Sequence, residues 1–264
     1  MDRAPAKGVP VRFRGVKEHL KKCFLTPRNH ILIMNADIYV ASCKNEKRIK
    51  KEMRQLNQLI NNAIKNNRYQ EIESFTPIIA LLYSVYAEVA FFKMIHTPYG
   101  FEDSYIEQIL SQRNLEDKWT KCLDFAFDRI QNDTNKGEVA NKRKQLNNIL
   151  NEFIIEPSQV RNKIAHGQWS VCLNSTNTAI NNETTTKMQH LDCVQIYTLF
   201  EIYNRFAECI EDLIESPYKA HYQYYYPKME ELKLYIDKTK GYSLDTKKKL
   251  LQSSQKYISK KHND

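Results

Sequence analysis

The stretch TPIIALLYSVYAEVAFFKMI, Thr76 to Ile95, is apolar on nearly every side, and its reading decides the fold. Thr76-Pro77 is a helix-start signal, with proline in the first turn. The helix that follows, Ile78 to about Ile95, has no polar face to turn to water, so it belongs at the centre of a helical bundle. Ser84, Glu88 and Lys93 interrupt it before 18 uninterrupted apolar residues accumulate, which favours a buried soluble helix over a membrane span. Glu88 is its one carboxylate. Thr97-Pro98-Tyr99-Gly100 ends it by turn chemistry.

The flanking sequence is helical as well. From Lys44 to Asn67, Ile49, Met53, Leu56, Ile60 and Ile64 repeat at helical spacing opposite a basic face. Ala36 to Ser42 suits a short strand or a helix equally. Beyond the turn come amphipathic helices over about 103–112, 116–132 and 138–155. Glu156-Pro157-Ser158 then starts a short helix that Gly167 should terminate. Gln168 to Thr186 alternates, is rich in Thr and Asn, and reads as a hairpin around Asn174 to Thr178. Leu191 to Ile214 is a long helix. Pro217 opens another that contains His221, Tyr222, Tyr224, Tyr225 and Tyr226 and is kinked by Pro227. Ser243 caps a last, lysine-rich helix. The expected class is all-α, a multi-helix bundle with a small β-hairpin insertion. The expected organisation is a flexible basic arm (1–16), a basic helical extension (17–70), the main helical domain (71–236) and a basic C-terminal helix (237–264).

Composition agrees with that class. Six Gly and eight Pro in 264 residues are few for a sandwich or a Gly-rich α/β fold. No signal peptide is recognisable, so the expected location is the cytoplasm, with no membrane association. The six cysteines are at least 16 positions apart, without CxxC, CxxH or HExxH, so they read as reduced thiols and no metal site is expected. Charge is segregated. Residues 1–68 hold 16 Lys/Arg against 5 Asp/Glu, residues 69–237 hold 16 against 24, and the last 27 hold 8 against 2. An acidic body between two basic ends suits a protein that handles a polyanion. Solvated charge on exposed helix faces would leave the same pattern.

Several chemistries lack their signatures. There is no GxxxxGK[ST] or GxGxxG phosphate loop and no GxSxG elbow. Adjacent carboxylates such as Glu116-Asp117 and Glu211-Asp212 diverge by about 100° on a helix and share no acid–base site. No cofactor is expected. The segment with chemical content is Arg161-Asn162-Lys163-Ile164-Ala165-His166-Gly167. Its histidine falls at a helix C-terminus, a setting that suits an imidazole exchanging protons near neutral pH. A purely structural use is also open, with His166 capping a carbonyl and Arg161 paired to Glu156 or another carboxylate.

Arg161 to Gly167 resembles the Arg-x4–6-His signature of the HEPN superfamily, whose polar residue after the arginine is matched by Asn162. The order of helices around the motif is similar too, and the resemblance covers Thr76 to Ile214. It implies a metal-independent endoribonuclease acting on single-stranded RNA, used as a toxin or an anti-phage defence effector. It also implies a homodimer through the motif helices, and an antitoxin or defence-system partner protein. Five helical residues turn through 140° net, so Arg161 and His166 of one chain splay apart, and a two-fold axis can bring one chain's arginine to the other's histidine. The roles implied are acid–base catalysis by His166, charge stabilisation by Arg161 and orientation by Asn162, with Glu88 as a further candidate. Trp169 reads as packing rather than a stacking platform. Tyr222 to Tyr226 read as either helix packing or a single-strand surface. The alternatives in function are a non-catalytic RNA-binding or scaffold protein, and a regulator that binds a nucleotide or partner protein through Ile78 to Ile95.

Overall fold

A computed structural model describes residues 27–130, 136–216 and 226–261. The arm 1–16, His221, Tyr222, Tyr224 and Tyr225 lie outside the described residues. The elements are α1 (Pro27–Lys65), α2 (Tyr69–Ile95), α3 (Asp103–Leu110), α4 (Leu115–Asp128), α5 (Lys136–Leu150), a π-turn (Asn151–Ile155), α6 (Glu156–Ala165), α7 (Asn182–Gln189), α8 (Cys193–Glu215), α9 (Tyr226–Thr239) and α10 (Leu244–Lys261). The protein is all-α. Ala36 to Ser42 belongs to α1, not to a strand.

The core is built on α2, which packs against α1, α8 and α6. At its centre Trp119 of α4 is fully buried, with its ring 4.6 Å from Phe91 of α2, 5.9 Å from Tyr203 and 5.3 Å from Phe206 of α8. The Tyr203 hydroxyl donates to the Ala87 carbonyl at 2.6 Å, whereas the buried Trp119 indole N–H has no partner among the described residues. Met53, Leu56, Ile60, Ala63 and Ile64 of α1 enter the same core, so packing makes no division at residue 70. Among the described residues α2 is long and apolar enough to cross a membrane by length and composition, and 56% of its apolar window is buried by its neighbours.

Two sequence expectations need correction. First, α2 begins at Tyr69, and Pro77 lies inside it. The proline costs the helix only the bond to the carbonyl of Glu73, an exposed residue, while Ile72 and Ile79, on either side, are held in the core.

The short helix expected from Glu156-Pro157-Ser158 is α6, with Pro157 in its first turn. The chain runs on from α5 through the π-turn, where Glu156 N–H donates to Asn151 O, five residues back. Pro157 has no N–H to give to the Phe153 carbonyl, and the Tyr83 hydroxyl donates to that carbonyl at 3.3 Å.

Second, no β-hairpin forms after the motif helix. One antiparallel bridge, Leu173 to Ile180, closes the reversal. The Asn174 side chain shapes the turn by accepting from Thr178 N–H at 2.9 Å. The ladder goes no further because side chains take its donors: Cys172 N–H goes to Thr185 Oγ1 and Ala179 N–H to Asn174 Oδ1. Asn181 then caps α7, accepting from Thr184 N–H at 3.0 Å.

The loop after α2 is fixed where α8 ends. A Cβ on Gly100 would lie 2.6 Å from Ile214 Cγ2 and 2.8 Å from Thr97 O, so only glycine fits. Arg129 ties the two segments together by donating to Gly100 O at 3.1 Å and Ile214 O at 2.8 Å.

Cys122, Cys172, Cys193 and Cys209 are buried free thiols. Burial pushes the Cys193 thiol up from 9.0 to about 11 and the Cys209 thiol up to about 12. Each therefore holds its proton more tightly folded than unfolded. The stability this confers is complete below the ordinary thiol value and is lost as pH rises toward 11 and 12. Thermal melts should show Tm falling steadily above pH 9, the ordinary thiol value. A Tm that stays flat up to pH 11 would contradict the buried placement of these thiols.

Candidate active site

The motif helix α6 is short, and its end is sharply defined. Gly167 adopts φ +79°, Gly167 N–H donates to Ile164 O at 3.0 Å, and Gln168 N–H donates to Lys163 O at 2.9 Å. This is a Schellman closure, and it needs a residue at ease in the left-handed region. His166 is the last position before the reversal. Its N–H donates to Asn162 O at 3.1 Å, and its side chain is exposed. Asn162 is exposed as well. Trp169 is half-exposed rather than packed into the core, and its indole N–H donates to Ile164 O at 2.9 Å, which lays the ring over the end of the motif helix.

Arg161 points the other way. It is 5% exposed, and its Nη1 donates to the Ser84 carbonyl of α2 at 3.2 Å. Its buried Nε has no hydrogen-bond partner. It forms no ion pair among the described residues, with Glu156 or with any other carboxylate. Burial lowers its proton affinity from the ordinary guanidinium value, and the charge of Glu88, one turn beyond Ser84, partly offsets this. Glu88 itself is exposed on α2, outside the core.

The structure therefore brings Arg161 toward Glu88 and Tyr83, whereas His166 and Asn162 lie on the outer side of α6. One protomer does not assemble the four candidates into a single pocket. Beside Arg161 is a cleft of about 210 Å³, lined by Tyr83, Val160, Ile164, Leu191 and Leu199, with Glu152, Glu156 and Lys187 among its polar residues. Lys187 is engaged by Glu183 at 2.8 Å.

Sequence reading missed two features beside this site. One is Tyr83, which the uniform apolarity of α2 conceals. The other is an exposed apolar stripe on α2: Ile78, Val85 and Phe92, seven residues apart, are 40%, 47% and 39% exposed. Ser84 and Glu88 border that stripe on the side where α6 packs. Among the described residues no group of three or more His, Cys, Asp or Glu could hold a metal ion.

No family model matches the chain, and no curated protein or solved structure is significantly similar to it.

Proposed function

We propose that the chain is a metal-independent endoribonuclease of the HEPN type, cutting single-stranded RNA as a toxin or anti-phage defence effector. One observation carries this reading. A buried arginine with no ion pair among the described residues sits on the ten-residue helix that an exposed histidine caps, in the Arg-Asn-x-x-x-His-Gly order. A desolvated cation with unused donors is costly to keep, and it gains most from an anion that arrives with the substrate. In the reaction, the RNA 2′-oxygen bonds to its own phosphorus and the P–O5′ bond breaks. His166 takes the 2′ proton or delivers one to the departing 5′ oxygen. Arg161 stabilises the added negative charge on the phosphorane oxygens, and Asn162 orients the phosphate. The products are a 2′,3′-cyclic phosphate and a 5′-hydroxyl. Because the nucleophile belongs to the substrate, the chemistry asks no metal of the protein.

The active unit is a two-fold dimer. The outward His166 of one chain meets the Arg161 side of the other, and the stripe Ile78, Val85 and Phe92 is covered by its symmetry mate. Val85→Glu combined with Phe92→Glu should give monomers by light scattering, and cleavage should fall with the dimer. Dimers that survive this double charge would remove the stripe from the interface. The test of the reaction is incubation with a mixed single-stranded RNA pool in excess EDTA. Cyclic phosphate ends are expected, and cleavage that EDTA abolishes would overturn the mechanism.

A second reading, a non-catalytic RNA-binding or scaffold protein, is favoured by the inward placement of Arg161 and its bond to Ser84 O. Arg161→Met separates the two. Replacing a buried, unpaired charge by an apolar side chain should leave Tm unchanged or higher. The nuclease reading expects cleavage to drop by about 10²–10³-fold. Retained cleavage would make Arg161 purely structural.

A further inference from the structure

The outer face of α1 carries a ridge of cations that the core does not use. Lys44, Lys47, Lys51, Arg54 and Lys65 fall on one line along the helix at intervals of three or four residues or their sums, with Gln58 and Asn62 filling the gap. The line runs 21 residues, or about 31 Å at 1.5 Å per residue. Between Lys44 and Lys65 it contains no carboxylate. The acids of this stretch lie on its flanks and are engaged there: Glu46 by Lys50 at 2.7 Å and Lys93 at 3.6 Å, Glu52 by Arg48 at 2.9 Å. The five ridge cations form no ion pair among the described residues. Arg54 uses its Nε on the Lys50 carbonyl at 3.2 Å, which anchors the side chain on its own helix.

The second basic end of the chain packs beside this ridge. Lys247 of α10 donates to Asn57 Oδ1 at 3.3 Å and stands 5.3 Å over the Tyr197 ring. Lys248 donates to the Tyr69 hydroxyl at 2.6 Å and stands 5.2 Å over that ring, and Tyr69 is itself exposed. The cationic segments, far apart in sequence, therefore converge on one side of the molecule, while the segment between them is net acidic. Helix faces that only need solvation intersperse both signs. A carboxylate-free row of four cations a turn apart, with a fifth three turns further on and an exposed tyrosine beside it, complements the repeating charge and bases of a single strand.

We propose that the α1 ridge, flanked by Lys247, Lys248 and Tyr69, is a docking surface for single-stranded RNA, separate from Arg161 and His166. The choice of RNA as occupant rests on the ribonuclease reading, whereas the surface rests on the charges and contacts above. RNA held on the ridge releases counterions, so affinity should fall with salt in proportion to the cations engaged.

The test uses the full chain carrying His166→Ala, to prevent turnover, and a fluorescein-labelled mixed-sequence 20-nucleotide RNA in EDTA, followed by anisotropy from 50 to 200 mM salt. Lys47→Gln, Lys51→Gln and Arg54→Gln together should lower affinity at 50 mM salt on the order of 100-fold. They should also reduce the log–log salt slope by about 2, at about 0.7 per lost phosphate contact. The three sites are exposed, so Tm should be unchanged. A control with Lys118, Lys144 and Lys238 changed to Gln alters net charge equally on other helices, and it should keep the parent slope. Equal loss in the control, or none in the ridge variant, overturns the proposal. A parent that binds anionic phospholipid vesicles and no RNA overturns it as well. Metal-free cleavage by the unaltered protein is scored separately, so the ridge can fail while the nuclease reading stands, and the reverse.

Discussion

On the ribonuclease reading proposed above, His166→Ala should slow RNA cleavage by about 10²–10⁴-fold while leaving the fold and most RNA affinity in place. The size of the effect follows from the role: a positioned acid or base contributes that range, and water replaces it poorly. The clean separation from stability follows from the structure. The imidazole is exposed at the end of α6, so its loss opens no cavity, and substitutions at such sites change stability by about 0.5 kcal/mol or less. The closure of the helix depends on the backbone of residues 163, 164, 167 and 168, which alanine leaves intact. The measurement is single-turnover cleavage of a labelled RNA in EDTA, beside a melt of each protein. Equal cleavage by both proteins would take His166 out of the mechanism, and a collapsed melt would mean that the ring supports the fold in a way its exposure does not predict.

Trp119→Ala should cost about 3–5 kcal/mol, the largest stability loss expected from one side chain here. Trp119 lies where α2, α4 and α8 meet, with no exposed surface, and three aromatic rings close on it. Alanine leaves a cavity that these rings cannot fill without moving helices that are pinned elsewhere, as Tyr203 is by its bond to Ala87 O. For a chain of this size the loss corresponds to about 6–20 °C in Tm. Trp119→Phe should cost less than alanine, because the indole N–H makes no hydrogen bond that phenylalanine would forfeit. Urea unfolding of the three proteins measures both differences. A cost below about 1 kcal/mol for alanine would place the mechanical centre of the bundle somewhere else.

Much of the architecture was legible because it is written in periodicity. The spacing of Ile49, Met53, Leu56, Ile60 and Ile64 marks the face of α1 that reaches the core, and four of the five are buried. The reversal at Gly167 was legible from one residue. Uniform apolarity is where such reading fails. Along Ile78 to Ile95 every side looks like an inside, so nothing in the pattern distinguishes Tyr83, which is buried, from Val85, which is not. The π-turn was hidden for a different reason: Glu-Pro-Ser is equally the start of a helix and the continuation of one whose hydrogen bonds have slipped by a residue. The expected hairpin failed on side-chain competition. Thr185 and Asn174 take backbone donors that a ladder would need, and alternation of Thr and Asn cannot reveal that. At the candidate site, the motif was visible in sequence, while the inward turn of Arg161 depends on how α6 lies against α2.

The π-turn also fixes which way the motif helix points. An extra residue within a helix rotates everything beyond it by about 100° relative to an uninterrupted one. Asn151 and Glu152, both exposed, can therefore be treated as a spacer whose length matters more than its chemistry. Exchanging either for another polar residue leaves the phase of α6 alone. Deleting one restores the ordinary winding and swings Arg161 away from Ser84. The heritable change that most cleanly displaces Arg161 is then a lost codon rather than an altered one, and it would escape any survey confined to substitutions.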